Sequence, residues 1–121
     1  MKTLALSLGC LLLLGLTVHT GERLTLKITP PVAVAPAGLV VRTTIETSPD
    51  NRALEVVASS PGYYRSSEMS LDGARSPRVN EWVFRGLPAG RYEITATLVG
   101  RNGDRATASR WFEAAAGPGD R

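Results

Sequence analysis

Apolar and polar residues alternate with period two along most of the chain beyond its first twenty or so residues. The alternating runs recur at intervals of roughly ten residues, separated by Gly, Pro, Asn and Asp. Such alternation puts successive side chains on opposite faces of a pleated strand, one face buried and one in water. Residues 24–29 read as a first strand, with Leu24, Leu26 and Ile28 on one face. Pro30, Pro31 and Pro36 lack the N–H that a central ladder needs, so the segment they punctuate belongs at a sheet edge or in passage between sheets. Residues 39–46 form the second strand, with Leu39, Val41, Thr43 and Ile45 sharing a face. The turn Ser48-Pro49-Asp50-Asn51 ends it, since proline presets φ and the Asp and Asn side chains hold the bend.

Residues 53–59 read as a third strand burying Leu54, Val56 and Ala58, ended by Pro61-Gly62. Residues 63–71 are a fourth, more polar strand suited to an edge, closed by Asp72-Gly73. The fifth carries Trp82 and Phe84 inward with Leu87 as its last anchor, and the sixth, 91–99, buries Tyr92, Ile94, Ala96 and Leu98. Asn102-Gly103 tolerates the positive φ of a hairpin loop, and 104–113 is the last strand. There is no internal repeat and no heptad. The pattern predicts one all-β domain over 22–114, a seven-stranded antiparallel β-sandwich, followed by a flexible tail at 115–121.

The most informative stretch is Trp82-x-Phe84-x-x-Leu87-Pro88-x-Gly90-x-Tyr92, where one strand ends and the chain turns the corner into the next sheet. From Trp82 to Glu113, about a third of the chain, the sequence resembles immunoglobulin-like and fibronectin type III-like modules of extracytoplasmic bacterial proteins. Their last three strands follow the same aromatic-to-tyrosine corner and a Gly-bearing hairpin. The corner is also similar to that of the transthyretin-like regulatory domains attached to carboxypeptidases and outer-membrane receptors. The two core cysteines of antibody domains are missing, which excludes that subgroup. The resemblance implies a fold rather than an activity. Tyr92 reads as a tyrosine corner, its ring in the core and its hydroxyl bonded to backbone near the preceding turn.

Composition changes the picture at the N-terminus. Lys2 precedes an uncharged, Leu-dominated run from Thr3 to Val18, the layout of an export signal helix over residues 1–20. Val18-His19-Thr20 matches a small-x-small cleavage site poorly, so an uncleaved N-terminal anchor stays open. The Leu8-Gly9-Cys10 triplet sits too early for a lipidation site and the apolar run continues beyond it. The expected location is therefore secreted or periplasmic, with membrane contact only through an uncleaved leader. Cys10 and His19 are the only cysteine and histidine, so loss of the leader would leave no disulfide, thiol nucleophile, imidazole base or Cys/His metal site. The net charge of +3 is carried by scattered arginines rather than a cluster, which argues against a nucleic-acid surface.

Candidate chemistry is sparse. Tyr63, Tyr64 and Arg65 follow the Pro61-Gly62 turn, and strand parity sends Tyr64 to the face opposite the other two, so at least one ring is expected in solvent. Tyr and Arg are favoured at binding hot spots, and exposed tyrosine also suits stacking on sugars. Trp111 and Phe112 are adjacent, so one of them faces away from the core; Trp111 either packs on the proline-rich first segment or offers a further contact. Asp50, Asp72 and Asp104 lie in separate turns without the close spacing of a calcium loop, and they supply no evident glycosidase pair. No Ser–base pairing or phosphate loop is present, so neither catalysis nor a cofactor is expected. The expectation is an exported module that binds a protein partner or serves a structural role at the cell envelope. A carbohydrate-binding module is the alternative, and it requires two aromatic rings exposed on one face.

Overall fold

The computed structural model describes residues 23–118, and the predicted signal helix lies outside them. The described chain forms eight strands: β1 (Leu24–Thr29), β2 (Val32–Val34), β3 (Ala37–Ile45), β4 (Asn51–Ser60), β5 (Tyr63–Ser70), β6 (Val79–Leu87), β7 (Gly90–Gly100) and β8 (Gly103–Ala115). A single 3-10 turn, Gly73–Arg75, lies between β5 and β6. One sheet has the order β1-β3-β6 and the other β2-β8-β7-β4-β5.

The predicted count of seven strands is thereby corrected to eight. The added strand is β2, three residues paired in parallel with Glu113–Ala115 of β8. Proline brackets it, so only a few backbone groups can bond; Glu113 N–H donates to Pro31 O at 3.0 Å and Ala35 N–H to Ala115 O at 2.7 Å. The segment does switch sheets, as the prolines require, leaving β1 in one layer and β2 on the edge of the other.

Period-two burial is clearest in β3, where Ala37, Leu39, Val41, Thr43 and Ile45 are all buried, and in β7, where Tyr92, Ile94, Ala96 and Leu98 are. These faces meet Leu54, Val56, Ala58, Phe84, Leu87 and Phe112 between the sheets. Removing this apolar area from water is the main force holding the layers together. Trp82 has the predicted inward phase but is only partly buried against the core.

Among the described residues no buried side-chain nitrogen or oxygen lacks a hydrogen-bond partner. Asn51, fully buried at the start of β4, donates from Nδ2 to Glu46 O at 2.8 Å and accepts from Arg105 Nη1 at 2.7 Å. Arg105 Nη2 reaches Glu46 Oε1 at 2.8 Å, so one asparagine and one arginine fasten the β3–β4 turn to β8. Thr43 Oγ1 donates to Asn80 O at 3.3 Å across the β3–β6 pair.

Candidate functional site

The corner between β6 and β7 is built around Tyr92. Leu87 is fully buried, Pro88 turns the chain, and Gly90 has φ +155°, where a Cβ would stand 3.1 Å from Ser60 Oγ. A side chain at Gly90 would therefore meet both backbone strain and crowding. Tyr92 is 0 % exposed and its hydroxyl donates to Pro88 O at 2.7 Å. Burial pushes the phenol above the ordinary tyrosine value, the nearby Tyr63 phenol adds to the rise, and the Arg65 guanidinium opposes it. This geometry holds the corner and presents no reactive group to solvent.

The three candidate residues at the start of β5 separate. Tyr63 turns inward and meets the Tyr92 ring edge-on at 6.1 Å between centroids. Arg65 stands over Tyr63 at 5.4 Å, bonds to its hydroxyl, and donates from Nη1 to Arg85 O at 2.8 Å. Since β5 and β6 are edge strands of different sheets, Arg65 bridges the open side of the sandwich. Tyr64 alone points away, 65 % exposed.

Trp111 is the other large ring in solvent. Phe112 takes the core position at 1 % exposure, and Trp111 stands on the opposite face at 55 %. The Arg91 guanidinium stacks on its ring 4.4 Å from the centroid, an exposed cation–π contact worth about 0.5–1 kcal/mol. Pro31 and Val32 line, with Arg91, Trp111 and Glu113, an open cavity of about 270 Å³, so the proline-rich segment borders the ring without covering it.

Register brings Tyr64 and Trp111 together. Tyr64 is opposite Ser59, Ser59 is opposite Glu93, and Glu93 is opposite Trp111. All four lie in one row across the outer face of the five-stranded sheet. Three inter-strand steps place the α-carbons of the two aromatic residues roughly 14 Å apart. Sequence reasoning named both rings but missed Ser59, Glu93 and Arg91, because their neighbourhood depends on the pairing of strands distant in sequence.

The turn acids do not form a ligand cage. Asp50 pairs with Arg101 at 3.3 Å. Asp50 and Asp104 line an open cavity of about 180 Å³ together with Arg23, Arg101 and Arg105. Asp72 lies beside a larger hollow of about 470 Å³ between Pro49, Arg52, Leu71 and Arg75. Among the described residues no group of three or more His, Cys, Asp or Glu side chains is placed to hold a metal ion.

No protein-family model matches the sequence, and no curated protein matches it. Solved structures do match in fold. A superoxide reductase (neelaredoxin) from Ignicoccus hospitalis superposes with a TM-score of 0.58 at 10 % identity, over 77 % of this chain and 80 % of that one. A variant of that protein gives 0.60 at 9 % identity, over 82 % and 85 %. A family 76 glycoside hydrolase from a bovine Bacteroides thetaiotaomicron strain gives 0.53 at 14 % identity, over 75 % of this chain but only 20 % of that one. At these identities the likeness establishes an all-β, sandwich-like fold.

The neighbours also correct the expectation that the chain is not an enzyme. Superoxide reductases are enzymes, so this fold carries catalysis elsewhere, and a small sandwich with tight turns gives no ground for excluding it.

Proposed function

We propose that the chain is an exported binding module of the cell envelope whose contact surface is the outer face of the five-stranded sheet. The observation that carries this reading is the joint exposure of Tyr64 and Trp111 on that face, at 65 % and 55 %. Tyrosine and tryptophan are enriched among the side chains that anchor binding surfaces, and two of them share this face. Tyr63 and Arg65 serve the reading differently from the sequence expectation: both are engaged with the sandwich and fix the strand that presents Tyr64. The strand order supports assigning the module to the immunoglobulin-like or fibronectin type III-like class, with β1-β3-β6 and β8-β7-β4 in the places of strands A-B-E and G-F-C. The leader composition supports export.

Co-sedimentation of the full chain with isolated cell envelopes tests the proposal. Tyr64→Ala and Trp111→Ala are expected each to reduce the bound fraction, while Val83→Ser, on the outer face of the other sheet, leaves it unchanged. Equal retention of all three variants would refute the placement of the surface.

A further inference from the structure

We infer that the ligand of this face is an extended neutral or amino-sugar glycan laid across the strands, stacked on Tyr64 and Trp111 and hydrogen-bonded between them. The inference rests on the proposed binding face and names its ligand.

The row that joins the rings is polar between them. Ser59 and Glu93 fill the two intermediate positions of the row. The adjacent row runs Ser66, Val57, Thr95, Ser109, in which Thr95 Oγ1 and Ser109 Oγ are hydrogen-bonded to each other at 3.1 Å and Val57 is the one apolar side chain. Protein-binding patches have apolar centres with polar groups at the rim. Here, along the row that joins them, aromatic rings stand at the two ends and a hydroxyl and a carboxylate occupy the middle, an arrangement that suits a ligand with apolar ring faces and hydroxyl edges. The roughly 14 Å between anchors spans a chain of several sugar units rather than one small molecule.

Charge narrows the class. The same outer face carries Glu55, Glu68, Glu93 and Glu113 against Arg91. Among the described residues none of these four carboxylates lies in an ion pair, whereas Glu46, Asp50 and Glu81 elsewhere do. The face is therefore acidic on a chain whose overall charge is +3. Stacked aromatics also suit nucleic-acid bases, but a phosphate backbone needs basic neighbours, and an anionic polysaccharide meets the same repulsion. A neutral sugar can donate its hydroxyl hydrogens to Glu93, and an amino sugar gains attraction besides.

The test is native affinity electrophoresis of the full chain in gels containing hydroxyethylcellulose, glycol chitin, chitosan or polygalacturonate, with the hexamer and dimer of each retarding polymer then compared by calorimetry. Retardation by a neutral or amino-sugar polymer but not by polygalacturonate is expected. Tyr64→Ala and Trp111→Ala should each weaken it by about tenfold or more, the scale of truncating a hot-spot aromatic. Tyr64→Phe should retain it, and the hexamer should bind far more tightly than the dimer, which is too short to reach both rings. Equal retardation by polygalacturonate, indifference to the two alanine variants, or no retardation by any polymer would overturn the inference. If no polymer retards the chain while envelope co-sedimentation still depends on Tyr64 and Trp111, the glycan is wrong and the face stands. If co-sedimentation is indifferent as well, both fall.

Discussion

Tyr92 shows how much one side chain can settle. Its ring fills the core beside Phe112, 6.3 Å away, and its hydroxyl closes the corner on Pro88. Tyr92→Phe removes that bond and should lower the unfolding free energy by about 1 kcal/mol, measured by urea denaturation. The raised phenol also sets a pH dependence. A group whose folded pKa exceeds its unfolded value of 10.0 contributes stability that is complete below that value and is lost as pH rises through the folded one. Denaturation midpoints should therefore fall above pH 10 in the native chain and fall less in Tyr92→Phe; equal slopes would contradict the assignment. Tyr92 was legible because aromatic, turn and tyrosine positions are all local in sequence. Whether Tyr64 or Tyr63 would face solvent was legible only as parity, until Tyr92 fixed which face was inside.

Elements come together at this scale through register, and register is where the sequence is weakest as a guide. Period-two burial makes β3 and β7 readable, since a slip of one residue would turn Leu39 or Ile94 into water. The short β2 was not readable, because its three residues find their partner some eighty positions away in β8. The row from Tyr64 to Trp111 likewise depends on three strand pairings at once. Trp111 was ambiguous for a related reason: nothing local says that Arg91, two positions before Glu93, will stack on it. The β7–β8 hairpin offers a test of element packing. A Cβ on Gly100 would fall 2.5 Å from Arg105 Cγ and Cδ, and that arginine cannot swing away without losing Asn51 and Glu46. Gly100→Ala should cost about 1–3 kcal/mol in thermal or urea unfolding, the range for overpacking a filled site. Gly62→Ala, where nothing lies within 4 Å, should be nearly silent. Equal effects would mean that Arg105 does not fasten the turn.

At the scale of the whole molecule, two layers of unequal width leave one broad outer face. The β1-β3-β6 sheet presents Val79 and Val83 around an Arg42–Glu81 ion pair of 3.0 Å. An exposed pair of this kind adds at most about 1 kcal/mol and marks no site. The wider sheet instead gathers both exposed aromatic rings, with Val32 and Val34 at its edge, and an excess of carboxylates, and it is there that the proposed contact surface lies. Incorporating the photo-crosslinker p-benzoylphenylalanine at Tyr64, and separately at Val83, then irradiating with isolated cell envelopes, tests this directly. Adducts from the Tyr64 position and none above background from the Val83 position are the predicted result. Adducts from Val83 alone, or equal yields from both, would contradict it.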